Sequence, residues 1–186
     1  MDSERTRTVR VVDYDPSWPG TFETLKASIW PAVGSVALAV EHVGSTAVPG
    51  LAAKAIIDLD VIVATSGHVP LAIERLATLG YVHRGNLGVA GREAFESPRG
   101  LAAHHLYVCI QGSVALVNHL TIRDYLRRNA EGAATYGRLK KDLAQRFPGD
   151  MDRYIEGKSA FLLGTLREAG LTEDALAAIA DTNRAK

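Results

Sequence analysis

Cysteine is almost absent from this chain: Cys109 is the single one in 186 residues. That excludes an intrachain disulfide and a Cys-rich zinc site. Placed in an apolar run, Cys109 reads as a small core hydrophobe rather than a nucleophile. No apolar run approaches the roughly 18 residues that a membrane span needs. The opening MDSERTRTVR is charged and lacks a hydrophobic signal region, so the cytoplasm is the default expectation. Residues 1–7 are polar and expected to fray. A charge excess is absent too, with 21 basic against 21 acidic residues. Without a basic stripe or an aromatic stacking platform, neither nucleic acid nor an anionic membrane is expected as a partner. A local basic pocket stays compatible with that balance. Low-complexity stretches are also missing, which makes one domain the default. Hydrophobic content of 47% and charged content of 23% fit a globular domain able to build a core without staples.

What is present centres on residues 41–63, EHVGSTAVPGLAAKAIIDLDVIV. Gly44 and Ser45 follow an apolar run, and Asp58-Leu59-Asp60 lies inside the next one. Side chains two apart on a strand share a face. Asp58, Asp60 and Ile62 therefore project one way, and Ile57, Leu59, Val61 and Val63 the other. Two adjacent carboxylates repel unless something neutralises them. A hard divalent cation such as Mg²⁺ takes carboxylate oxygens together with substrate phosphates. A strand ending at the sheet edge, with both aspartates solvated, accounts for the same pair. Gly44 admits positive φ and a close backbone approach. Ser45 and Thr46 offer hydroxyls, and exposed N–H groups at such a turn suit a phosphate.

Before this stretch, residues 9–12 read as a short edge strand, and Trp18 as a core aromatic. A helix runs from Ser17 or Thr21 to Val33, with Phe22, Leu25, Ile29 and Val33 at helical spacing. Pro31 is expected to kink or end it. Residues 36–43 read as the first central strand, with Glu41 and His42 at its end beside the turn. Lys54 suits a phosphate as a point charge, or equally a helix end as a solvated cation.

After the aspartates, Thr65 or Ser66 caps a helix carrying Pro70, and a return strand follows at 81–83. The Gly-rich segment 84–91 reads as a hairpin connection or loop, 92–96 as a further strand, and 104–110 as another. On that last strand Leu106, Val108 and Ile110 share one face, and His105, Tyr107 and Cys109 the other. His105 suits a metal ligand, a general base or a hydrogen-bonded structural role. Beyond Gly112 the chain turns helical. Ser113 caps a helix to about Asn129, another runs to Phe147, and Asp150 caps a third after Pro148-Gly149. Arg123 on the first of these matches phosphate geometry. Lys158 falls on the apolar stripe of the third, where it either snorkels outward or meets a partner such as a triphosphate. Residues 173–180 form an alanine-rich helical tail.

Gly-Ser followed by Asp-x-Asp in a strand resembles the signature of the nucleotidyltransferase superfamily, with its polymerase-β-like fold. More narrowly, residues 41–63 are similar to the GrpB-like proteins, as are YDPSWPGTF (14–22), HHLYVC (104–109), RDYLRRN (123–129) and Lys158-Ser159-Ala160-Phe161. That family also occurs as a domain fused to dephospho-CoA kinase in some bacteria. The resemblance spans nearly the whole chain. It implies one α/β (α+β) domain, a mixed β-sheet with flanking helices, with the sheet part at about 9–112 and a helical part at about 113–170.

The resemblance further implies Mg²⁺ or Mn²⁺ on Asp58 and Asp60. A nucleoside triphosphate would lie on Gly44, Ser45, Thr46, Lys54, Arg123 and Lys158. The reaction would be nucleotidyl or phosphoryl transfer to a small-molecule acceptor, with His105 or Glu96 taking the proton. One departure stands out: polymerase-like sites usually carry a third carboxylate on a neighbouring strand, and 104–110 holds none. Glu93 and Glu96 are the nearest acidic residues upstream. The alternative is therefore a non-catalytic nucleotide- or CoA-pathway-binding accessory domain, and beyond it a structural helper whose polar cleft is a relic.

Overall fold

The structure, a computed structural model, describes residues 8–184 and their side chains to residue 180; the 1–7 segment lies outside the described residues. The first helix, α1 (Trp18–Val33), buries Trp18, Phe22, Leu25, Ile29 and Val33 along one stripe. It passes through Pro31 without ending there, because the proline sits in the last turn and removes one intrahelical bond only. β1 (Ala37–Val43) follows, then a single 3₁₀ turn over Ser45–Ala47 and β2 (Ile57–Val63). After a second 3₁₀ turn come α2 (Val69–Ala77), β3 (Val82–His83), β4 (Arg92–Glu96) and β5 (His104–Ile110). Four helices complete the chain: α3 (Val114–Arg128), α4 (Ala130–Arg146), α5 (Met151–Glu168) and α6 (Glu173–Arg184).

The five strands form one mixed sheet in the order β1-β2-β5-β4-β3. β2 and β5 run parallel at its centre and the other neighbours are antiparallel. Three expectations are corrected here. Residues 36–43 give an edge strand, not a central one, because β5 inserts on the other side of β2. Residues 9–12 contribute only an isolated bridge, Val12 to Ala53, rather than a strand. The α2 entry is a 3₁₀ turn with no side-chain cap, and Thr65 Oγ1 instead pairs with His68 Nδ1.

Alternation along β2 divides the molecule. Leu59, Val61 and Val63 pack with Leu106 and Val108 of β5 against α1 and α2, in the main core. Each is fully buried, so truncating one to alanine costs about 2–5 kcal/mol. The opposite face carries Asp58, Asp60 and Ile62 beside His105, Tyr107 and Cys109, and there Ile62 and Cys109 meet Leu116 of α3. Ser113 caps α3 by accepting from the Leu116 N–H, and Asp150 caps α5 through the Arg153 N–H. α6 docks through Leu176 and Ile179 onto Leu166 of α5. No helix among the described residues is long and apolar enough to cross a membrane.

Candidate functional site

The β1–β2 connection begins with Gly44 at φ 71° and ψ −171°. A Cβ there would stand 2.2 Å from Asp58 Oδ2, so only glycine lets the turn seat against that carboxylate. Ser45 comes next, and its Oγ accepts a 2.7 Å hydrogen bond from Lys140 Nζ of α4. Lys140 is 2% exposed. Burial, reinforced by the neighbouring Lys158 charge, depresses its ammonium to about 7. Lys54 and Lys158 line the same cavity of about 290 Å³, together with Ser45, Asp58 and His105. The ring of Tyr154 sits between two of these cations, 6.0 Å from Lys54 Nζ and 4.5 Å from Lys158 Nζ. Three lysines from three separate segments thus line one cavity with one serine and one carboxylate.

The carboxylates of β2 are each paired with a histidine. Asp58 Oδ1 lies 2.8 Å from His105 Nδ1 on the adjoining strand. Asp60 Oδ2 lies 2.7 Å from His119 Nδ1, brought in by α3. Asp58 is partly exposed and lines the cavity, whereas Asp60 is fully buried and does not. Asp60 Oδ1 has no hydrogen-bond partner among the described residues. Asp60, Cys109 and His119 bring ligand atoms within 4.8 Å of one another, a mixed O, S and N set. Burial, followed by the Asp60 charge, raises the Cys109 thiol far above its usual range, in keeping with the core role read from the sequence.

The remaining expected residues divide. Gly44, Ser45, Lys54, Asp58, His105 and Lys158 meet at the cavity. Thr46 also borders it, but its hydroxyl is buried and 3.0 Å from His42 Nε2. His42 is in turn stacked on Phe22 and lowered to about 4 by burial and then by Arg127. Arg123 does not line the cavity. Its guanidinium donates to Glu41, Asp124 and the His42 carbonyl, while Arg127 donates to the Ala47 carbonyl. These two arginines clamp α3 to the strand end and turn. Glu96 pairs with Arg84 and Glu93 with His83 at the far edge, and Glu93 pairs in register with Val108 of the core face. Neither supplies a third carboxylate to the site.

Lys140, His119 and Arg92 were not singled out by the sequence reading. Lys140 lies four residues after Tyr136 and three before Leu143, within the buried stripe of α4, the same signal that marked Lys158 on α5. His119 follows Leu116 by three on the buried face of α3. Arg92 shares a sheet face with Ala94, Tyr107 and Cys109.

Comparison with known proteins places these features in context. The family model described as GrpB protein matches residues 8–168. The protein YqkA of Bacillus subtilis is 35% identical over 84% of this chain, which spans 46% of that relative's length. A crystal structure of GrpB from Enterococcus faecalis superimposes with a TM-score of 0.77 at 37% identity, covering 86% of this chain and 96% of that one. A dephospho-CoA kinase of Mycolicibacterium paratuberculosis is 26% identical over 87% of this chain, again matched over 46% of its own length. The Cid1 poly(U) polymerase is similar at a TM-score of 0.51 and 14% identity, over 73% of this chain and 45% of that one. This last likeness is one of fold alone: the architecture is nucleotidyltransferase-like.

Proposed function

This chain belongs to the GrpB family, and from that premise we propose that it is a metal-dependent transferase, moving a nucleotidyl or phosphoryl group from a nucleoside triphosphate to a small-molecule acceptor. The observation that carries the reading is that Lys54, Lys140 and Lys158 line one cavity with Ser45 and Asp58, Lys140 donating to Ser45. Three lysines bordering one cavity suit the oxygens of a polyanion such as a triphosphate, as point charges. Asp58 would hold Mg²⁺ or Mn²⁺ in the mode that combines one or two carboxylates with substrate phosphates; His105, hydrogen-bonded to it, would orient that carboxylate. Bound there, the ion supplies charge neutralisation on the phosphate oxygens.

The chain's own groups do the rest. Ser45 and the lysines orient the phosphates, and Gly44 lets them approach Asp58. His119 is held through Nδ1 by the buried Asp60, which leaves Nε2 to take the acceptor's proton, the arrangement of a base oriented by a carboxylate. The reading carries a cytoplasmic location with it, as the compartment that supplies nucleoside triphosphate.

A second reading, a non-catalytic nucleotide- or CoA-pathway-binding accessory domain, draws on the burial of Asp60 away from the cavity. Thermal unfolding with each common nucleoside triphosphate and with CoA precursors, with and without Mg²⁺, tests both. A Mg²⁺-dependent rise in Tm that Asp58→Asn removes, followed by transfer of label from that nucleotide, is the transferase outcome. A rise without transfer leaves the accessory domain. No rise with any nucleotide or CoA precursor defeats both.

A further inference from the structure

Two more cavities adjoin the lysine-lined one. The nearer, of about 260 Å³, runs from Gly44 and Asp58 past His119 to Arg92. The other, of about 310 Å³, shares Asn118 and His119 with the lysine-lined cavity but none of its lysines. Its walls come from residues 88–90, the start of α3, and Ile179 of α6. Among the described residues only His119 lines all three spaces.

Arg92 is the cation of this outer chamber. It is 5% exposed, its guanidinium carbon lies 4.4 Å from the Tyr107 ring centroid, and its Nε has no hydrogen-bond partner among the described residues. None of the ion pairs among those residues includes Arg92. Arg92 and Asp60 act on the Cys109 thiol in opposite directions, and Nε is left without an acceptor among the described residues. A buried cation in that state is costly. Asn118 lines the same chamber and leaves its Oδ1 buried and unpartnered. The two residues that carry these orphaned atoms, a cation and an amide, therefore border one space.

We propose that this chamber binds a small carboxylic acid that also carries a hydroxyl or amino group. The carboxylate accepts from Arg92, whose planar fork matches it. The hydroxyl or amino group pairs with the side-chain amide of Asn118. Val89, Ala115 and Ile179 receive a short apolar body. One cation selects one negative charge, whereas a triphosphate belongs with the three lysines. Ile179 lies beyond residue 168, where the family match ends, so this wall comes from sequence outside the matched region. That the acid is the acceptor rests on the transferase reading; that it binds does not.

The probes are 3-hydroxybutyrate, butyrate and 1,3-butanediol, titrated into the full chain without nucleotide. Binding is read by calorimetry and by the NMR cross-peak of the Arg92 Nε–Hε group. The hydroxy acid binds tightest and moves that cross-peak. Butyrate binds roughly fivefold or more weakly, and the uncharged diol roughly tenfold or more weakly than the hydroxy acid. Arg92→Gln abolishes the preference for carboxylates over the diol, and Asn118→Ala abolishes that for the hydroxy acid over butyrate. An unmoved cross-peak at saturating acid overturns the proposal, as does equal carboxylate affinity in Arg92→Gln. A parallel ATP titration keeps the two readings apart. Acid binding at Arg92 without any ATP binding removes the transferase and leaves the chamber; ATP binding with no acid binding does the reverse.

Discussion

Gly44 and Asp58 are packed so closely that a Cβ on the glycine would lie 2.2 Å from Asp58 Oδ2 and 2.9 Å from its Cγ. The Gly44 backbone also occupies a conformation that is essentially reserved for glycine (φ 71°, ψ −171°). Turn and carboxylate are one unit, fixed before any ligand arrives. Gly44→Ala meets backbone strain and a steric clash together. The expected loss is about 2 kcal/mol or more, a fall in Tm of roughly 4–8 °C for a chain of this size. A thermal melt followed by circular dichroism checks it, and an unchanged Tm would mean that the turn does not seat against Asp58.

Lys140 gives the fold a pH dependence of definite sign. Its ammonium titrates at 10.5 in the unfolded reference and at about 7 in the folded protein, burial being the main cause and Lys158 the next. Between those values the unfolded chain holds a proton that the folded chain has released. Stability therefore rises as pH climbs from about 7 towards 10.5, and is lost as pH falls through the folded value. Lys140→Met removes that slope and raises stability near neutral pH. Urea unfolding of both proteins at several pH values across this window is the measurement, and parallel profiles would refute the assignment.

Much of this arrangement is legible in the sequence where the signal is local. The alternation of 57–63 gives the two faces of β2, because side-chain direction on a strand depends only on parity. Ser113 and Asp150 mark helix starts because a cap is a contact within three residues. Gly44, Ser45 and Asp58 carry enough of a pattern to point to the cavity that they line together. The rest depends on long-range packing. That β5 lies beside β2, pushing β1 to the edge, is decided by pairing across more than 40 residues, which no local pattern encodes. Arg123 and Lys140 are both cations on amphipathic helices. Which one meets the turn's hydroxyl depends on how α3 and α4 cross the sheet: Arg123 is taken by Glu41 and Lys140 reaches Ser45. The absent third carboxylate on β5 was visible in the sequence, but its neighbour His119 on α3 was not.

Asp60 and His119 form a pair whose two halves differ in cost. Asp60 is fully buried, with Oδ2 bonded to His119 Nδ1 at 2.7 Å and Oδ1 without a hydrogen-bond partner among the described residues. His119→Ala strands a buried carboxylate, for a loss of about 3–5 kcal/mol. Adding Asp60→Leu removes the stranded group, so the double variant should be more stable than His119→Ala alone. Urea unfolding of the wild type, both single variants and the double variant completes the cycle. Losses that simply add would show that the two side chains do not support one another.

Arg123 separates a structural clamp from a phosphate ligand. Its side chain is 10% exposed and donates to the Glu41 carboxylate and the His42 carbonyl, at 2.7 and 3.0 Å. Every one of these contacts ties α3 to the end of β1, and none faces the lysine-lined cavity. Arg123→Gln breaks the ion pair but leaves Ser45, Lys54, Lys140 and Lys158 in place. Stability should fall by about 1–3 kcal/mol, the range for a hydrogen bond to a charged group. Nucleotide affinity, measured by calorimetry well below the variant's Tm, should stay within about twofold of the wild type, whereas Lys140→Met should weaken it at least about tenfold. A variant that keeps its stability but loses nucleotide binding would move Arg123 into the phosphate site and require α3 to shift when ligand binds.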